Sequence, residues 1–475
     1  MSTFSGLNTA TTALWAQQRG LDVTGQNIAN VNTAGYSRQR AELQSVGGNV
    51  VPATYAVSNG IGQGVNADKV TRIRDAFLEG RAQIESAETA RMTVKDSTLA
   101  QIEQAFREPG ETGISAKLTG VFTAWGDVAN KPAESGGRTA VLQKTATLVA
   151  ELHTTSSNLD KQWTQTRDSL DTLATDVNAK AQSIAELNTA IKRATQTGLP
   201  SNELADKRDV LVMELAASIG ATVTPADDGQ VNVVVAGAQL VSGGSTLGIK
   251  VVGTDVPSEA TVGNPAFVTD PGNTRLAVGG TAGGSLTALT DTIPKYQAAL
   301  DAVAVQLATE VNAAHMAGFD QKGVAGEPMF DDGSGTLPVD LTTITAANLR
   351  LRITDPAKLA AGAVAPSGGV ASADGGNAAT LAAMAKTGSG VAVAYRQLIV
   401  NLGVEASVAT SNLQTQTVVA AQVDASRESV SGVNIDEEMT NMLQFQHAYS
   451  AAARMITAID ETLDVLINRT GRVGL

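Results

Sequence analysis

Close to its start the chain places an aliphatic residue at every seventh position, Leu7, Leu14, Leu21 and Ile28. Seven residues are nearly two helical turns, so these side chains form a narrow stripe that a single helix cannot bury and that calls for a partner helix. The far end repeats the pattern more strongly. Ile435, Met442, Tyr449, Ile456 and Leu463 hold one register, and Phe445, Ala452, Ile459 and Leu466 hold its companion. Asn434 ahead of Glu437 fits an N-cap with a capping box, while Asp436 and Glu438 suit the positive end of a helix. Gly20 and Gly25 each weaken the first helix by roughly 1 kcal/mol relative to Ala, which leaves it marginal alone. Two unfilled stripes at opposite ends of one sequence can satisfy each other. The termini are therefore predicted to meet as a coiled coil, with the stripe residues as a candidate assembly interface.

Further helices are expected over 84–107, 139–197, 201–220, 285–316 and 388–430. The longest carries Trp163, Leu170, Val177, Ile184 and Ile191 at the same heptad spacing, and Gly198-Leu199-Pro200 stops it. Residues 221–282 change character. "ATVT", "VNVVVAG", "QLVSGG" and "LGIKVVG" are β-branched runs punctuated by Gly and Asp-Gly, the pattern of short strands and hairpins. "NLRLRIT", 348–354, is one more strand candidate. Residues 355–378 are mostly Ala, Gly and Ser with little to bury, which predicts a surface loop.

Length alone gives a prior of about three domains. Aromatics make up only 3% of the 475 residues, a composition suited to helices packed through small side chains. The net charge is −13 with the basic residues scattered, so there is no basic stripe to follow a phosphate backbone, which argues against nucleic acid. Cysteine is absent, which removes disulfides, thiol nucleophiles and thiolate metal sites and suits a chain exported unfolded. No charged side chain precedes Arg19 and no apolar block resembles a cleaved signal. That leaves two readings, a cytoplasmic protein or export by a route that leaves its signal uncleaved. No run of about 18 apolar residues predicts a membrane span.

Motifs that could carry chemistry are weak. "GIGQGV", 60–65, lacks the spacing and the βαβ setting of a dinucleotide loop and reads as a turn into the strand-like "VNADKVTRI". "FDDGSGTLPVD", 330–340, lacks the alternating ligands and distal Glu of a calcium loop, so its acids are expected to be solvated. The acids of "IDEEM", 435–439, point in different directions on a helix and are accounted for by its dipole. His153, His315 and His447 stand apart from one another and read as packing or surface residues. No nucleophile–base pair emerges. The chain is expected not to be an enzyme, with no catalytic, cofactor-binding or metal-binding residue.

One polar turn remains, "IANVNTAGYSRQR", where the first helix ends. It resembles the N-terminal signature of bacterial flagellar axial proteins, Ala-Asn-x-x-Thr-x-Gly-Tyr, carried here by Ala29, Asn30, Thr33, Gly35 and Tyr36. Ser37, Arg38 and Gln39 narrow the resemblance to the flagellar hook-associated protein 1 family, with Ala34 where a Pro is common. Further blocks at 59–80, 203–224, 283–320 and 431–468 resemble that family in order, and 321–387 is short for the outer domain of its longer members. In this turn Asn30, Asn32 and Thr33 are placed to satisfy backbone groups at the helix end. Gly35 permits a left-handed bend, and Tyr36 is expected to anchor the turn.

The resemblance implies a mainly α, elongated, multi-domain axial protein with a terminal coiled coil, a long-helix bundle and a small β-rich part. The segments expected are 1–36 and 432–475 for the coiled coil, 37–220, 283–330 and 388–431 for the helical core, 221–282 for the β-rich part and 331–387 for a short outer insertion. It implies a structural subunit joining hook to filament, exported unfolded from the cytoplasm and then extracellular. Its partners would be copies of itself in a helical zone, the hook protein, a second hook-associated junction protein and a cytoplasmic export chaperone, with no nucleic acid and no membrane. The competing expectations are a rod or hook subunit and a free secreted coiled-coil effector or adhesin.

Overall fold

The computed structural model describes residues 3–47, 62–257, 263–366, 373–386 and 390–469. Gly60 and Ile61 of the glycine motif, 367–372 of the Ala/Gly/Ser segment, and the extreme ends of both terminal segments lie outside them. In chain order, α1 (Thr3–Ala29) leads into an antiparallel pair, β1 (Gln39–Ser45) and β2 (Val65–Arg72). Four helices follow: α2 (Ala76–Phe106), α3 (Ile114–Asn130), α4 (Ser135–Gln196) and α5 (Asn202–Ile219). The strands β3 (Thr222–Pro225), β4 (Val231–Val235), β5 (Ala238–Ser242) and β6 (Ser245–Thr246) form one antiparallel sheet in sequence order. β7 (Gly248–Val252) pairs with β8 (Ala266–Asp270). Next come α6 (Gly280–Thr287), α7 (Ile293–Met316), the two-residue pair β9 (Phe330–Asp331) and β10 (Arg350–Leu351), and α8 (Gly376–Ala383). Two long helices, α9 (Val391–Ser431) and α10 (Ile435–Asp464), complete the order. The fold is mainly α with small antiparallel sheets, as the periodicities predict.

The chain divides into two compact units, Met1–Ala87 with Val177–Gly248 and Thr417–Leu475, and Glu88–Asp176 with Ile249–Gln416. These borders fall inside α2, α4, β7 and α9, whereas the segments read from the sequence break at helix ends and composition changes. A helix that passes through two units shows no break in its period, so a unit border leaves no local mark.

In the first unit, the β3–β6 sheet hangs on α4. Asn188 is fully buried; its Nδ2 donates to the carbonyls of Val231 and Gly243, both at 2.8 Å, and its Oδ1 accepts from Val231 N at 3.2 Å. One amide thus fixes the start of β4 and the turn after β5. The β4–β5 hairpin turns through Ala236 and Gly237, both at positive φ, as a two-residue loop between right-twisted strands requires.

The second unit corrects two expectations. The segment 355–378 is only partly a surface loop where it is described: Leu359, Ala360 and Ala361 are fully buried, whereas Ala363, Val364 and Ala365 are exposed. Ala360 N donates to His315 Nε2 at 2.9 Å, His315 Nδ1 donates to Glu327 O at 2.6 Å, and Phe319 and Gly362 exchange both backbone bonds. Small residues there permit backbone to pass close. A Cβ on Gly326 would come within 2.0 Å of the His315 carbonyl, and one on Gly318 within 2.2 Å of Asn377. His315 is accordingly a packing residue, its pKa lowered by burial. The second correction concerns 330–340. Asp331 is buried and accepts from Arg352 and Gly333 N, so it is not simply solvated, whereas the half-buried Asp332 and the exposed Asp340 cap turns. The strand expected over 348–354 shrinks to Arg350–Leu351.

Candidate assembly site

The first unit brings the two termini together. α1 packs along α10, and three pairs of positions define how. A Cβ on Gly6 would touch Ile459, one on Gly20 would lie 2.6 Å from the Phe445 ring, and Asn27 bonds to Glu438. Steps of 14 and 7 along α1 (6, 20, 27) match steps of 14 and 7 backwards along α10 (459, 445, 438), so the helices run antiparallel in one heptad register. The same register sets Ala13 opposite Ala452.

The α1 column at this contact is therefore Gly6, Ala13, Gly20 and Asn27, one position before the aliphatic column read from the sequence. Phe445, Ala452 and Ile459 face it, and Ala452 is buried. Leu7, Leu14, Leu21 and Ile28 are half-buried, as are Met442, Phe445, Tyr449, Ile456, Ile459 and Leu463. Ile435 and Leu466 are exposed, at 46% and 53%. Gly20 serves as a socket for Phe445, a packing role that its helix-weakening effect conceals. Gly25 has nothing within 4 Å of its missing Cβ.

The turn that leaves α1 is built from its own side chains. Asn30 Nδ2 donates to Gln26 O at 2.9 Å, Thr33 Oγ1 donates to Asn30 Oδ1 at 3.1 Å, and Ala29 is exposed. Gly35 sits at φ +78°, and a Cβ there would meet Val210 at 2.3 Å, so glycine is required on two counts. Tyr36 Oη donates to Asn27 Oδ1 at 2.8 Å, which closes the turn back onto the helix it left. Burial pushes the Tyr36 phenol up to about 12, with Asp206, Glu438 and Glu203 adding to the effect.

Asn27 is the hub, and no local pattern in its neighbourhood singles it out. It is 1% exposed. Its Oδ1 accepts from Tyr36 and from Gln39 N, and its Nδ2 donates to Gln39 O at 2.9 Å and to Glu438 Oε2 at 3.0 Å. Both donors and both acceptor sites are used. Glu438, equally buried, also accepts from Arg38 Nε at 2.7 Å, while Arg38 Nη1 donates to Glu437 at 2.8 Å. Glu438 is thus a buried ion-pair partner, which the dipole argument alone does not explain. Asn434 caps α10 as predicted, accepting from Asp436 N and Glu437 N.

Behind the turn the charges continue. Ser37 donates through both N and Oγ to Asp206, and Gln39 accepts from Asn202 Nδ2. Arg72 spans Asp206 and Asp209 at 2.9 and 2.8 Å; Arg74 joins Asp209 to Glu79, and Arg427 of α9 approaches Glu79 at 3.8 Å. Burial opposes ionisation of Asp209, but Arg208, Arg74 and Arg72 outweigh it and hold its carboxyl below the ordinary range. Burial likewise opposes the Arg72 charge, and Asp209 and Asp206 more than restore it. These acids and bases are consumed by one another, which suits a rigid joint. Among the described residues no three His, Cys, Asp or Glu cluster as metal ligands, and no helix is long and apolar enough to cross a membrane.

Known proteins resemble this chain along its length. Residues 99–330 match the family model of the flagellar hook-associated protein FlgK helical domain. Residues 7–36 match that of the flagella basal body rod protein, and 426–469 that of the flagellar basal body rod FlgEFG protein C-terminal region. The flagellar hook-associated protein 1 of Bacillus subtilis (strain 168) is 30% identical over 533 aligned residues, covering 100% of this chain and 99% of that one. That of Escherichia coli (strain K12) is 25% identical, covering 97% and 99%. The structure of the flagellar hook junction protein FlgK from Burkholderia pseudomallei superposes with a TM-score of 0.63 at 17% identity, over 74% of this chain and all of that one, a likeness of fold. On full-length identity to curated relatives, the chain belongs to the flagellar hook-associated protein 1 family of flagellar structural proteins.

Proposed function

We propose that this protein joins hook to filament as a structural subunit, and that the terminal segments 1–36 and 432–475 are its assembly element. The observation that carries this is the incomplete burial of the terminal helix pair. Met439, Leu443, Met455 and Leu466 are each more than half exposed although α1 already covers one face of α10. Apolar surface of that kind is covered by other chains. A contact between unlike faces that does not close repeats as a helical zone, so copies of this chain would stack through the open faces. Hook protein on one side and a second hook-associated junction protein on the other are the partners this reading requires. The remaining segments, 37–220, 283–330 and 388–431 as a helical core, 221–282 as a β-rich part and 331–387 as a short outer insertion, would make up the rest of the subunit.

Passage to the flagellum in an unfolded state follows from the same reading. A cysteine-free chain has no cross-link to hinder threading, and an apolar C-terminal helix offers a cytoplasmic chaperone its grip before export. A rod or hook subunit would share the terminal segments; the match over 99–330 favours the hook-associated role. Ile456→Asp tests it. A carboxylate on the half-buried face should block stacking, giving secreted filament subunits and cells without attached filaments. Gold-labelled antibody should mark a single band at the hook–filament boundary in unaltered cells. Diffuse label, or normal motility in the variant, would sink the proposal.

A further inference from the structure

The geometry points to Asn27 and Glu438 as the residues that choose the register of the terminal helix pair. The aliphatic columns cannot choose it. Leu7, Leu14, Leu21 and Ile28 repeat every seven residues, and so do Met442, Tyr449, Ile456 and Leu463, so sliding one helix by a heptad matches like with like. Such a slide moves a helix by about 10.5 Å at 1.5 Å per residue. Nine residues, 30–38, separate α1 from β1 and could span up to about 30 Å if extended, so the connection does not forbid the shift.

Within the α1–α10 contact two features do distinguish the registers, and they differ in kind. In the slipped pairing that sets Ala13 opposite Ile459, Phe445 faces Asn27 instead of the Gly20 socket, a mismatch that aliphatic neighbours can repack around. Glu438 fares worse. It would lie beyond the end of α1, having lost Asn27, and Asn27 would lose a partner for an amide now 1% exposed. A buried carboxylate and amide tolerate few arrangements, and fixing register is the best-attested use of such groups. Because Asn27 also holds Tyr36 and both backbone groups of Gln39, the choice of register and the path of the exit turn are set by one side chain. This holds for the isolated chain, whether or not the pair lies in a junction.

The absence of cysteine makes the register directly readable. Ala13→Cys with Ala452→Cys reports the native register, and Ala13→Cys with Ile459→Cys reports the one-heptad slip, each joined by a short bis-maleimide and scored on monomeric product. In otherwise unaltered chain the native link should exceed the slipped one by roughly tenfold or more, about 1.4 kcal/mol of preference. The same should hold with Phe445→Ala, which removes the knob but keeps the polar pair. With Asn27→Leu and Glu438→Leu together, native and slipped links should form in comparable yield. The proposal is overturned if that double variant keeps the native link alone, or if Phe445→Ala scrambles the register as much. It is equally overturned if the double variant gives neither link, since the pair would then be holding the helices together rather than choosing their alignment.

Discussion

The heptad column of α4 and the columns of α1 and α10 have the same spacing and opposite fates. Trp163, Leu170, Val177, Ile184 and Ile191 are at most 1% exposed, and Trp163 Nε1 donates to Leu289 O at 2.9 Å. The aliphatic and aromatic members of the terminal columns are half-buried at best, with Ile435 and Leu466 open and only Ala452 among the α10 columns buried. A heptad repeat states that a helix needs a partner. How much of that partner its own chain provides depends on what lies alongside, and α4 has many neighbours where α1 and α10 have chiefly each other and the β1–β2 hairpin. The polar end of the pair, around Asn27 and Glu438, is nevertheless complete within one chain. The pair is thus finished at its joint and open along its length.

The largest expected effect tests that contrast. Trp163→Ala should destabilise the isolated chain by about 3–5 kcal/mol through cavity formation and the lost bond, whereas Ile456→Ala should cost only about 1 kcal/mol, having less area to lose. Denaturant midpoints of the two variants measure it, and equal losses would break the comparison. Next is Arg38→Ala, which leaves the buried Glu438 carboxylate with Asn27 as its remaining partner. Breaking a buried pair costs about 3–5 kcal/mol; the lower end is expected because Arg38 is itself 19% exposed. Hydrogen exchange should quicken in the first turns of α10 and stay slow over 163–191. Quickening in both would mean that joint and core melt as one body.

Smaller effects sharpen the picture at single residues. Gly20→Ala drives a methyl into the Phe445 ring, an overpacking penalty of about 1–3 kcal/mol that exceeds the helix-propensity gain of about 1 kcal/mol. Gly25→Ala meets nothing and should show the gain alone. Thermal midpoints moving the same way in both would mean that α1 does not lie against Phe445. The smallest effects are in pH. Asp209 has a depressed pKa, so its contribution is present above the ordinary carboxylate value of about 4 and fades as pH falls through its lowered one. Tyr36 is raised to about 12, so its contribution is complete below about 10 and fades as pH rises through 12. Tyr36→Phe should flatten stability between those alkaline limits at the joint; an unchanged alkaline profile would show that the Tyr36 phenol is not the group responsible.

Much of this was legible beforehand. The helices, the Gly198-Leu199-Pro200 stop, the Asn434 cap and the left-handed Gly35 are short-range matters, decided by side-chain spacing and backbone sterics within a turn or two. The Ala/Gly/Ser segment after Asp355 misled because small residues read as having little to bury. Their smallness serves the opposite end, letting backbone pass against His315 and Asn377. Gly20 misled in the same way, since a residue that weakens a helix by propensity can be indispensable where a ring must fit.

Sequence alone determined that α1 and α10 are striped helices in need of cover, because a period of seven is a property of neighbouring residues. Only the tertiary structure decided which α1 column meets Phe445, and that Asn27 and Glu438, 411 residues apart, share a hydrogen bond. The physical reason is desolvation. Whether a carboxylate is a solvated helix-end charge or a buried partner depends on what distant chain removes its water, and no local pattern records that.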